Sequence, residues 1–183
     1  MVLRKSLVQN KKGAMMDIYI WLIMIFVWAI FFGLWVYGFG EITDGFLDSD
    51  IKVGNQNVSD IANDSLGTIN RLQNGAIELL GVGMIIAFAL SIWISNYLVK
   101  VNPVFIVVYI FIAATGIMFS VYLSNSYETL METQPLGDTF ISFAALSFMM
   151  LNLPLITTVV SVFGMIFLFA GIIRDEGAGG SLT

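Results

Sequence analysis

Histidine and cysteine are both absent from this chain of 183 residues, and only 11% of its residues carry charge. Without cysteine there is no disulfide framework, no thiolate nucleophile and no cysteine-based zinc site. Without histidine there is no imidazole base and no haem-binding histidine. Carboxylates by themselves can hold calcium or magnesium, and Asp44, Asp48 and Asp50 come closest to such a pattern. They lack the dense ligand spacing with a turn glycine that those loops use, so they read as a solvated acidic segment. No cofactor is expected. The net charge of −5 removes the basic face that nucleic acid requires.

What the chain has instead is apolar surface: 58% of its residues are hydrophobic, while an ordinary soluble domain devotes about 25% of its residues to charge. Four runs contain no Asp, Glu, Lys or Arg, namely 18–40, 79–99, 101–127 and 139–173. About 20 apolar helical residues cross the hydrocarbon of a bilayer, so each run is long enough. The expected fold is an all-α polytopic membrane protein, a single membrane domain with spans near 18–40, 78–99, 103–124 and 151–173. The last run, at 35 residues, is too long for one simple crossing. Asn152 and Pro154 divide it, which predicts an interfacial or partly inserted helix over 139–150 before the final span, with an outer connection from 125. A flexible tail is expected over 175–183.

The signs of the charges set a topology. Arg4, Lys5, Lys11 and Lys12 precede the first span, Lys100 separates the second and third, and Arg174 follows the fourth. Six of the eight positive residues thus fall on one side, and positive flanks favour the cytoplasm. Both termini are therefore expected inside. The first apolar run is too long for a signal h-region and no small-x-small site follows it promptly. Lys11-Lys12-Gly13-Ala14 has the form of a prepilin-type processing site, but a basic anchor on anionic headgroups is the expectation adopted.

The connection 41–77 is the main polar segment. Its acids Glu41, Asp44, Asp48, Asp50, Asp60 and Asp64 are candidate partner-facing residues. From Val58, apolar residues Ile61, Leu66, Ile69, Leu72 and Ala76 recur at helical spacing. This predicts an amphipathic outer helix, running without a break in phase into the second span.

Small residues mark candidate helix-packing seams. Gly83, Ala87, Ser91 and Ser95 are four apart on the second span, and Gly116, Ser120 and Ser124 repeat the device on the third. Small side chains at that spacing let a neighbouring backbone approach closely. No acid or base falls at mid-span depth, where a transport or proton-relay residue would stand, and no catalytic residue is assigned.

Two stretches resemble small multi-span proteins of lipid-containing, tailless icosahedral viruses. They are Lys11-Lys12-Gly13-Ala14-Met15-Met16-Asp17 leading into an aromatic-rich helix, and Asn152-Leu153-Pro154-Leu155-Ile156 running into Gly164 and Gly171. The resemblance implies a protein of an internal virion membrane whose outer loops touch a coat; it carries over no site residues. The leading expectation is a non-enzymatic structural membrane protein in a homo- or hetero-oligomer within a lipid bilayer. An oligomeric, holin-like pore and an accessory subunit of a larger complex are the alternatives.

Overall fold

A computed structural model describes residues 16–48, 52–98 and 105–179. Its elements in chain order are α1 (Asp17–Leu47), β1 (Lys52–Val53), β2 (Gln56–Asn57), α2 (Val58–Leu98), α3 (Phe105–Met131), α4 (Leu136–Ser142), α5 (Ala144–Leu151) and α6 (Leu153–Gly179). Four of these, α1, α2, α3 and α6, are long and apolar enough to cross a membrane. The strands form a minimal antiparallel hairpin whose turn uses Gly54 at a φ of +67°, a conformation that tight hairpin turns demand and glycine supplies.

The sequence explains which faces turn inward. On α1, Ile18, Leu22, Ile25, Ala29, Gly33 and Val36 are buried, a stripe at three- and four-residue spacing. Trp28, Phe31 and Trp35 stay exposed and stack on one another and on Phe32 along the outside of the helix. These rings cover α1 rather than fill the core.

The four long helices form a ring in the order α1, α2, α6, α3. α1 packs along α2, α2 and α3 both pack along α6, and α3 closes the ring against α1 more lightly. The second and third spans, α2 and α3, stand diagonally across the ring. The side chains that would join them reach α6 instead. We call the end carrying Asp17, Leu98 and Phe105 the base.

α1 and α2 continue past the bundle. α2 has 41 residues, about 61 Å of helix at 1.5 Å per residue, roughly twice the hydrocarbon thickness. The polar segment 41–77 is therefore mostly helix: Glu41 and Asp44 belong to α1, Asp60 and Asp64 to α2. Thr43 and Ala62 are buried on this extension, which holds it as a two-helix stalk. α3 likewise runs beyond 124, to Met131.

The segment expected to be interfacial or partly inserted packs among the long helices. α4 and α5 meet at Phe143, whose backbone (φ −90°, ψ 74°) leaves the helical region, and the pair wedges between α1, α2 and α3. Phe140, Phe143, Leu146 and Met150 are buried. A side chain at Gly33 would overlap the Phe140 ring, and one at Gly81 would meet Leu146 at 3.3 Å, so these two glycines form the seat of the wedge. α6 then starts with Pro154 in its first turn, where a missing N–H costs little.

Candidate functional site

The polar side chains within the bundle gather at three levels. At the base of α1, Asp17 hydrogen-bonds the Ser95 side chain, the Trp21 indole donates to Ser91 Oγ at 3.1 Å, and the Tyr19 hydroxyl pairs with Thr115 Oγ1. One turn and a half of α1 thereby holds both α2 and α3.

Across the centre, α2 and α3 reach α6. Trp93 Nε1 donates to the Val160 carbonyl at 3.1 Å, Asn96 Nδ2 to the Gly164 carbonyl at 3.0 Å, and the Tyr109 hydroxyl to the Ser161 carbonyl at 3.1 Å. The Asn96 side chain also hydrogen-bonds the Tyr109 hydroxyl. Gly164 permits this convergence, because a Cβ there would overlap the Tyr109 hydroxyl and lie 2.8 Å from Asn96 Nδ2. Carbonyls of an intact helix accept these bonds as a second interaction. Ser161 Oγ is buried in the same cluster without a partner.

At the wedge, Ser147 Oγ donates to the Phe140 carbonyl at 2.6 Å, so the Tyr127 hydroxyl, 3.0 Å away, is the donor to Ser147. The Tyr127 ring meets the Phe140 ring edge to face, and Ser124 Oγ donates to the Leu151 carbonyl at 2.9 Å. Ser147 thus bonds a carbonyl beside the break at Phe143, and Ser124 bonds one at the junction of α5 and α6.

The small-residue rows fall in different surroundings. On α2, Ser91 and Ser95 contact α1, whereas Gly83 and Ala87 line an open apolar groove of about 520 Å³ with Trp21, Met24 and Leu79. A Cβ on Gly83 would meet nothing within 4 Å. On α3, Gly116 faces Ile18, Ser120 bonds back to the Ile117 carbonyl and Ser124 holds α5. The two rows do not face each other. Of the acidic candidates, Glu41, Asp44, Asp48, Asp60 and Asp64 are exposed on the stalk, and Asp50 lies outside the described residues. So do the topology residues Arg4, Lys5, Lys11, Lys12 and Lys100; Arg174 is on α6. No group of three or more acids among the described residues is placed to hold a metal ion.

Sequence reasoning missed Asn96, Tyr109, Tyr127 and Ser147. Asn96 and Ser147 were visible as polar residues inside charge-free runs, a signal that points to helix-to-helix hydrogen bonds. Fold and polar contacts together define a four-helix bundle of membrane-spanning type, tied internally by hydrogen bonds. Comparison with protein families, with curated proteins and with solved structures gives no match.

Proposed function

We propose that this chain is a non-enzymatic structural protein of a membrane, assembling laterally in the bilayer and engaging a partner or coat protein through the acidic stalk. The observation that carries this reading is the use made of the polar groups inside the bundle. Asn96, Tyr109, Trp93, Ser124 and Tyr127 each spend their hydrogen bonds on holding one helix to another. A transport route or reaction centre needs groups free to exchange partners; these groups fix a shape.

The stalk supports the second half of the reading. Glu41, Asp44, Asp48, Asp60 and Asp64 stand exposed there, and the described cations of that region are Lys52 and Arg71. A basic protein surface is complementary to such a tip and finds it by electrostatic steering. With both termini inside, the stalk faces outward, and the viral resemblance supplies a setting, an internal virion membrane beneath its capsid. The test is mild solubilisation followed by mass measurement. A fixed stoichiometry with a soluble coat or partner protein is expected, lost at raised salt; a free oligomer that conducts ions in liposomes refutes the proposal and installs the pore.

A further inference from the structure

The stalk has two unlike sides. Eighteen residues make about five turns of helix, so Ile42 stands over Met24, Ile61 over Leu79 and Ile69 over Ala87. The three lower residues all line the groove between α1 and α2. One side of the stalk therefore continues the side of the spans that is open to lipid. Ile42, Phe46, Ile61, Ile69 and Leu72 are exposed on it, Leu72 by 70%. Glu41, Asp44, Asp48, Asp60, Asp64 and Arg71 all fall about 90° of turn or more from its midline. Ser65 and Thr68 share the apolar side, the Thr68 hydroxyl being spent on the Asp64 carbonyl at 2.9 Å. A face of this composition is too polar for hydrocarbon and too apolar for water. The headgroup layer suits both kinds of residue.

We propose that the stalk is a membrane-surface element: it leans at the level of Gly38 and Gly75 and rests its apolar side in the headgroup layer of the bilayer that the bundle spans, leaving the acids in water. The proposal rests on the membrane-spanning reading of the long helices and not on the identity of any partner. Three features favour the bilayer as occupant. The apolar side continues the lipid-facing surface of α1 and α2 without changing face, so the headgroups begin at its foot. Extending the register of Asp17 against Ser95 and Trp21 against Ser91 up this antiparallel pair puts Gly75 level with Gly38. A Cβ at either glycine would meet nothing within 4 Å. No packing calls for glycine there, and glycine loosens a helix, so the two helices can bend together along one line. The opposite lean is closed, because α4 and α5 pack against α1 and α2 on that side, at Gly33 and Gly81.

The absence of cysteine makes the test direct. Single variants Ile61→Cys, Leu72→Cys, Asn63→Cys and Asp44→Cys of the full chain carry a nitrobenzoxadiazole label, with Leu90→Cys as the reference within the span. Asn63 and Asp44 are exposed but lie away from the apolar side. Each labelled chain is placed in phosphatidylcholine vesicles with and without brominated phosphatidylcholine, and quenching is read. An upright stalk holds Ile61 about 21 Å beyond Gly75, out of reach of the bromines. Quenching at 61 and 72 about threefold or more above that at 63 and 44 is expected. Replacing Gly38 and Gly75 together with alanine should lower the quenching at 61 by about half and leave 90 unchanged. Water-like, unquenched emission at 61 overturns the proposal. Blue-shifted emission at 61 without quenching shows protein on the apolar side and overturns it too. Equal quenching at 61 and 63 refutes the sidedness, and unchanged quenching at 61 in the double alanine variant refutes the lean at the glycines. An unquenched label at 90 removes the membrane-spanning reading along with the proposal.

Discussion

Replacing Gly164 with alanine puts one methyl group where Tyr109 and Asn96 converge on α6. The new Cβ overlaps the Tyr109 hydroxyl and comes within 3.1 Å of the Ile92 side chain, so α2 and α3 must both draw back. Two hydrogen bonds then fail, Asn96 to the Gly164 carbonyl and Tyr109 to the Ser161 carbonyl. Interhelical hydrogen bonds in membranes contribute about 0.6–2 kcal/mol each, and overpacking adds about 1–3 kcal/mol. Against this, alanine improves helix propensity by up to about 1 kcal/mol. The net expectation is a loss of about 1–7 kcal/mol, or roughly 2–28 °C in Tm for a chain of this size. Thermal unfolding in mild detergent, followed by aggregation or a tag readout, measures it. Gly83→Ala is the control: with open space around its Cβ, only the propensity gain remains, so this variant should match or exceed the parent. The double variant with Tyr109→Phe should lose less than the sum of the two, by about 0.5–2 kcal/mol. A Gly164→Ala protein as stable as the parent, or strict additivity with Tyr109→Phe, refutes the convergence.

Tyr127→Phe removes the donor to Ser147 while keeping the ring against Phe140, and should cost about 0.6–2 kcal/mol in the same assay; no loss would show that the wedge does not depend on this bond. Gly33→Leu leaves Phe140 no seat, so protease sensitivity in the 132–143 region should rise, and an unchanged digestion pattern counts against the wedge. For topology, Asn55→Cys should react with an impermeant maleimide from outside sealed cells and Lys100→Cys only after permeabilisation; the reverse pattern inverts the assignment. Neutralising Asp44, Asp48, Asp60 and Asp64 to asparagine should release the stalk's partner at lower salt with the fold intact, and unchanged retention would remove the acids from the interface.

The spans were legible because the bilayer imposes a simple requirement on each of them separately, a charge-free run of sufficient length. The continuity of α2 was legible too, since Ile61, Ile69, Leu72 and Ala76 keep helical phase into the span. Neighbour relations were not, because they depend on shape across the chain. Lys100 and Pro103 promise a tight turn, yet a turn does not make α2 and α3 pack when Gly164 on α6 offers both a closer approach. The wedge was only half legible for the same reason: 139–150 is apolar enough for an interface, and what draws it inward is the pair of vacancies at Gly33 and Gly81. The acids Glu41 and Asp44 looked like loop because charge stops a span, but charge does not stop a helix, and burial of Thr43 and Ala62 keeps α1 and α2 paired past the bundle. The seam residues split by partner, Ser91 and Ser95 finding α1 while Gly83 and Ala87 remain open.

The diagonal placement of α2 and α3 has a consequence for how the chain matures. Synthesis delivers α1, α2 and α3 first; the seat at Gly33 and Gly81 is empty until α4 and α5 follow, and until α6 arrives Asn96 and Tyr109 have no carbonyls from that helix. The first two thirds of the protein are thus a frame awaiting its keystone, and the last third supplies both the wedge and the helix that locks it. A chain cut short before α6 would present unpaired polar groups to lipid, a mark that membrane quality control can read, and it should be turned over faster than the full chain in a pulse-chase comparison. Completion of the polypeptide and closure of the bundle become one event, so only finished copies are available for assembly.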